Sequence, residues 1–209
     1  MGDDGVDTRE RIMEATYDAL VETGFADLTM SDIAEASETS TSLLHYHFNT
    51  KEDLIVSFLE YLVERIEHDI AVSAPSDPVG KIHFILQWYV LDTDEADREA
   101  LHLALLELRL QASRNHRYRR RIKQADRVIR EGLAAAIHDG IESGIFDEVE
   151  AEATAALLLC AADGAQTRLL ITGESVYTDV VEGSLSEHVL ADLFTREALE
   201  RWRDLTEEA

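Results

Sequence analysis

The chain has 209 residues, 45% of them hydrophobic, and 43 acidic against 19 basic residues give a formal net charge of -24. That length and apolar fraction allow one or two domains with a buried core. The single cysteine, Cys160, excludes an intrachain disulfide and reads as helix core, and the acidic start MGDDGVD and the lack of an apolar run near the roughly 18 residues of a membrane span lead us to expect a cytoplasmic protein.

Residues 29–54, TMSDIAEASETSTSLLHYHFNTKEDL, carry apolar positions that suit two short helices packed across a tight turn. Met30, Ile33 and Ala34 share one helical face, and Leu44 and Phe48 share another. Between them Ser37, Glu38, Thr39 and Ser40 form a polar turn, and Ser40 is the expected N-cap of the second helix. Thr29 to Asp32 and Thr50 to Asp53 both fit S/T-x-x-D/E, the sequence of a capped helix start. Helices are therefore expected to begin near Met30, Thr41 and Lys51, in a helix-turn-helix.

With about 100° per residue, the middle helix turns Leu44 and Phe48 inward and Ser42, Leu43 and Tyr46 outward. The outward face is small and polar around one aromatic ring. Such a face can enter a DNA major groove, where hydroxyls meet base edges and a leucine touches a thymine methyl. His45, Tyr46, His47 and Lys51 then fall where phosphate oxygens would lie.

After residue 72 the two prolines, Pro75 and Pro78, mark a break between modules. Helix-period segments follow over residues 79–91, 96–113, 116–142, 151–171 and 186–205, with Gly144 and Gly173 as stops. The chain is expected to be all-α, with about nine helices. Residues 109–130 form a basic island that holds 9 of the 19 Lys and Arg residues and one acid, Asp126. Arg residues at helical spacing on so acidic a chain are expected to find carboxylate partners as scaffolding, although a second DNA contact or an acidic effector would use the same charges.

The stretch SDIAEASETSTSLLHYHFNTKEDLI resembles the DNA-binding signature of the TetR family of transcriptional regulators. The likeness extends back through TRERIMEATYDALVETGF, similar to the family's first helix, and weakens beyond residue 72. It implies a three-helix DNA-binding domain over residues 1–50, a connecting helix over 51–72, and a helical effector-binding and dimerisation domain over 73–209. The DNA-binding residues it suggests are Thr29, Ser40, Thr41, Ser42, Leu43, His45, Tyr46, His47 and Lys51. It also implies a homodimer reading a palindromic operator and an effector pocket within the central helices. Phe84, Trp88, Tyr89, His102 and Leu106 are the pocket candidates, with ordinary core packing as their other reading. By the same resemblance the last two helices form the dimer interface, with an intrachain core as their other reading. There Ala155, Ala156, Ala161, Ala162, Gly164 and Ala165 permit close approach, and Val189, Leu193, Trp202 and Leu205 fill the remaining space. Two departures stand out. Glu38 occupies a position where many members carry Gly, so either the turn is reshaped or a strain of roughly 1–2 kcal/mol is tolerated. The usual recognition-helix tyrosine falls on His45, with Tyr46 beside it.

Residues 1–60 contain 14 acids and only Arg9, Arg11 and Lys51 as bases, whereas nucleic-acid modules usually show a basic footprint. One reading is a dimeric ligand-sensing or protein-interaction module that has lost DNA binding. The other is a protein from a halophilic archaeon. At about 1 M ionic strength the Debye length is only about 3 Å, so carboxylates on the back of the domain barely reach phosphates. Only three of the basic residues are lysine, which fits the same setting. Enzyme signatures such as a glycine-rich phosphate loop, G-x-S-x-G or C-x-x-C are absent, and the eight histidines lack metal-ligand spacing. The expectation is a regulator without cofactor or metal, a repressor released when a small molecule shifts the helices above a hinge at 66–72.

Overall fold

A computed structural model describes residues 4–87 and 96–207. These residues are helical apart from short connections, and their one β-type pairing is an antiparallel bridge between Phe146 and Phe194. The all-α expectation holds. By packing, the chain forms two units, one holding residues up to Arg65 together with Glu95–Ala125 and the other holding Ile66–Asp94 and Asp126–Ala209. Division by packing therefore cuts across boundaries at 50 and 72, because residues 95–125 return to the N-terminal unit.

The first unit contains α1 (Asp4–Asp27), α2 (Met30–Ala36), α3 (Thr41–His47), the first part of α4 (Lys51–Val72), α6 (Ala96–Gln111) and the start of α7 (His116–Glu142). All three expected starts at Met30, Thr41 and Lys51 match the observed ones. Ile12, Met13 and Leu20 of α1, Ile33 of α2, Leu44 of α3 and Leu54, Ile55 and Phe58 of α4 close one core with Leu101, Ala104 and Leu108 of α6. Helix α6 lies along α1. Each fully buried Leu, Ile or Phe stabilises this unit by about 1.5–3 kcal/mol relative to exposure.

The second unit is built from α5 (Pro78–Gln87), the remainder of α7, α8 (Ala151–Thr172) and the C-terminal helices. Ile82, Ile85, Leu133, Ile137, Leu158 and Leu190 meet in its core. Gly140 is required there, since a Cβ would collide with the Phe146 ring. A single helix was expected over 186–205. Instead α9 (Val176–Ser184) passes through a π-helical turn, Leu185–Val189, into α10 (Leu190–Leu193), and the helix stops at Phe194. The reason is local competition for backbone partners. Asp147 N donates to Leu193 O and Thr195 N to Ile145 O, while the Phe146 and Phe194 rings stack 4.7 Å apart. The chain resumes as α11 (Arg196–Glu207).

Two further expectations change in this unit. Leu193 and Trp202 fill the chain's own core rather than a partner-facing surface, with Val189 and Leu205 packed against it. Cys160 is exposed on α8 and is not a core residue. Helix α8 also combines its length with a mean hydropathy of 1.2 over 18 residues, enough by composition for a membrane span. One side of it faces the unit's core, where Ala151, Ala155, Leu158, Leu159, Ala162 and Ala165 are buried, while Leu157 and Ile171 on the other side are exposed. His83 of α5 is buried in the same core, edge-on to Trp202 at 5.3 Å, and its Nε2 has no hydrogen-bond partner. Burial first, and the charge of Arg201 second, hold its pKa below the ordinary histidine value.

Candidate DNA-binding interface

The helix-turn-helix is assembled by its caps. Thr29 accepts the Asp32 amide on its hydroxyl at 3.3 Å, and Asp32 Oδ2 accepts the Thr29 amide at 2.7 Å, a reciprocal capping box at the start of α2. Ser40 is the N-cap of α3, accepting the Leu43 amide at 3.1 Å. Thr50 accepts the Asp53 amide at 3.1 Å and opens α4.

Between α2 and α3 the chain turns at Glu38, whose φ is +52°. The Glu38 amide donates to Glu35 O at 3.1 Å and the Thr39 amide to Ala34 O at 3.0 Å. This pair of bonds is a Schellman ending with a glutamate at the left-handed position. The turn keeps its shape, and the strain of a side chain at positive φ is tolerated. Ser37, buried beneath it, donates its hydroxyl to Ile33 O at 2.7 Å and shares a hydrogen bond with Thr39.

Helix α3 presents the face read from its spacing. Leu44 and Phe48 are buried, whereas Ser42, His45, Tyr46 and His47 are exposed and Thr41 is half-buried. Tyr46 is 83% exposed and Leu43 37% exposed, so both are open to a partner. Tyr46 and His47 meet edge to face at 5.3 Å. The hydroxyls of Thr29 and Ser40 are occupied by their caps, which leaves Thr41, Ser42 and Tyr46 as the hydroxyl groups available on α3 itself.

Lys51 is placed differently from the outward phosphate ligand expected of it. Its Nζ donates to Phe25 O at 2.9 Å and to Leu28 O at 2.5 Å, and lies 4.6 Å from the centre of the Phe25 ring. Two of its three N–H donors are thus committed within the chain. Burial pushes its pKa down, against the opposing pull of Asp32, Asp27 and Glu107. Spacing alone gave no sign of this inward turn. The residue that sequence reading missed is Glu107, which accepts the Phe25 and Ala26 amides on one oxygen at 3.0 and 3.1 Å. An open groove of about 650 Å³ runs past these residues, between Phe25, Lys51, Glu107, Arg114 and Tyr118. Desolvation raises the Tyr118 phenol there to about 12.

The basic island is partly absorbed by ion pairs. Arg117 meets Asp53 at 2.7 Å and Glu52 at 3.3 Å, and Arg121 meets Glu60 at 2.5 Å, with Arg9 on the other oxygen of Glu60 at 3.6 Å. Arg119 caps the end of α6 by donating to the carbonyls of Ala112 and Ser113. These contacts fix α7 against the first turns of α4. The effector-pocket candidates, by contrast, are divided. Phe84 packs against the second unit's core, His102 and Leu106 lie on α6 in the first unit, and Trp88 and Tyr89 fall outside the described residues. No group of histidine, cysteine or carboxylate side chains suited to a metal occurs among the described residues.

Comparison with known proteins agrees with this arrangement. The family described as bacterial regulatory proteins of the tetR family matches residues 12–58, and the BetI-type transcriptional repressor C-terminal family matches residues 81–206. A TetR transcription regulator from Haloarcula marismortui is 36% identical, with a TM-score of 0.79 over 90% of this chain and 99% of that one. The HTH-type transcriptional regulator TtgR of Pseudomonas putida is 27% identical over 185 residues, 81% of this chain and 83% of that protein. A transcriptional regulator from Saccharomonospora viridis, solved in complex with choline, has the same fold at 20% identity, with a TM-score of 0.75 over 91% of this chain and all of that one. With a capped helix-turn-helix at one end and a regulator's C-terminal helices at the other, the chain belongs to the TetR family of transcriptional regulators.

Proposed function

We propose that this DNA-binding regulator is a homodimeric repressor that reads a palindromic operator through α3 and leaves it when a small molecule binds the C-terminal helices. The observation that carries the reading is the exposed face of α3, held by the Ser40 cap and the Glu38 turn. Ser42 and Leu43 contact bases, Thr41, His45, Tyr46 and His47 contact the backbone, and Thr29 and Ser40 orient the helix through their caps.

Dimerisation is assigned to the free side of α8. Leu157, Cys160, Gly164 and Ile171 recur at helical spacing along it and are exposed, and Val176 and Val180 of α9 add exposed apolar surface. A Cβ at Gly164 would meet nothing within 4 Å, so another helix can approach there. A two-fold pair would set the recognition helices about 34 Å apart, one turn of the duplex.

Adaptation to high salt is part of the proposal. The net charge of -24 and the three lysines support it, as does 36% identity to a protein from Haloarcula marismortui. Selection of duplexes from a randomised pool by the full-length protein at about 2 M KCl, where screening is nearly complete, tests the reading. A palindromic consensus is expected. Enrichment of no sequence at any salt concentration would favour the interaction module instead. Loss of binding to the selected duplex is then screened against small molecules, with choline among the first.

A further inference from the structure

We propose that Glu107 is a positioning residue for DNA recognition, setting with Lys51 the turn from which the helix-turn-helix is hung. Helix α1 leaves helical geometry at Gly24, where φ is +71° and ψ is 170°. Amides just beyond such a break lose their partners four residues back and must be satisfied otherwise. Phe25 N and Ala26 N both find Glu107 Oε2, at 3.0 and 3.1 Å. The carbonyls of Phe25 and Leu28 in the same turn find Lys51 Nζ, at 2.9 and 2.5 Å.

Four backbone groups within four residues are therefore gripped by two oppositely charged side chains from two other helices. The anion takes the donors and the cation takes the acceptors. Such charge-assisted bonds are roughly twice as strong as neutral ones, and their short range leaves them effective in concentrated salt. The turn ends in buried Leu28, and Thr29 immediately opens the capping box of α2. Phe25 is held in addition by the edge of Tyr118 at 6.2 Å. A shift of Glu107 moves the entry of α2, and α3 follows α2 through the rigid Glu38 turn.

The inference rests on the DNA-binding function, and its test keeps the two apart. Affinity of the full-length protein for the duplex selected by the wild type, and for a scrambled duplex, is measured by fluorescence anisotropy for wild type, Glu107→Ala, Glu107→Gln and Lys51→Met, beside the thermal midpoint of each. Glutamine retains the oxygen that accepts both amides. Glu107→Ala and Lys51→Met are expected to lower the preference for the selected duplex about tenfold or more, on the scale of a charged hydrogen bond, while Glu107→Gln stays within about threefold of wild type. Amide exchange at Phe25 and Ala26 should quicken in the alanine variant and stay slow in the glutamine variant. If Glu107→Ala fails to fold, Lys51→Met and the exchange rates in Glu107→Gln decide. A folded Glu107→Ala or Lys51→Met with wild-type preference, or Phe25 and Ala26 amides that exchange as fast as free turns, would overturn the proposal. A wild type without preference for any duplex would overturn both it and the DNA-binding reading.

Discussion

Glu38 carries the clearest local conflict in the chain, since a glutamate adopts the +52° φ that favours glycine. The turn is retained because its two amides and the buried Ser37 hydroxyl are all satisfied by α2 carbonyls. Glu38→Gly should remove the steric penalty and raise stability by about 0.5–1 kcal/mol, shifting the thermal midpoint by about 1–4 °C. An unchanged or lower midpoint in calorimetry would show that the turn is not strained. His83 gives a second prediction. Its pKa in the folded chain lies below the ordinary 6.5 because burial and Arg201 disfavour the imidazolium. Below pH 6.5 the unfolded chain therefore takes up a proton more readily than the folded one, and stability falls as the pH drops from about 6.5 through the folded-state value. Above 6.5 the contribution is complete. Replacement by phenylalanine, which retains an aromatic edge toward Trp202, should flatten this part of the stability profile. A profile that keeps its slope would place the titration elsewhere.

At the scale of elements, helices whose starts are written in side-chain caps were legible in the sequence. Thr29, Ser40 and Thr50 all cap where their spacing places them, and α7 spans the expected residues 116–142. Ser40→Ala should cost about 1 kcal/mol of stability and weaken operator binding, as α3 loses its first-turn anchor. Equal affinity in an anisotropy titration would remove the cap from the account. What was not legible depends on contacts distant in sequence. Phe194 ends a helix because residues 145–147 offer its neighbours backbone partners, and nothing near Phe194 announces that competition. Lys51 and Glu107 look like surface charges until α1 breaks at Gly24 and exposes groups for them to hold. Local spacing thus gave the exposed face of α3, while the residues that hold it in place belong to tertiary structure.

For the whole molecule, the surface charge decides how DNA is approached. Among the described residues of the first unit, Arg9, Arg117 and Arg121 are paired with carboxylates and Lys51 faces its own backbone. Helix α3 itself carries no lysine or arginine, so in the proposed complex it contributes hydroxyls, apolar contact and fit. In the proposed dimer the exposed apolar surface of α8 carries the contact. Leu157→Glu, on the open side of α8, should yield monomers by light scattering without loss of helicity. Operator affinity should fall with it, because two half-sites are no longer bound together. A dimeric Leu157→Glu would move the interface elsewhere.

The most direct measurement is the salt dependence of binding to a selected operator, by fluorescence anisotropy from about 0.2 to 3 M KCl, a range that carries the screening length well below its physiological value. Each neutralised phosphate adds about -0.9 to the slope of log K against log salt, so a protein whose α3 carries no lysine or arginine should show a slope shallower than about -3 and selective binding into molar salt. A steep slope with binding lost near about 0.5 M would mean that phosphate neutralisation by cations dominates after all, and would contradict the account.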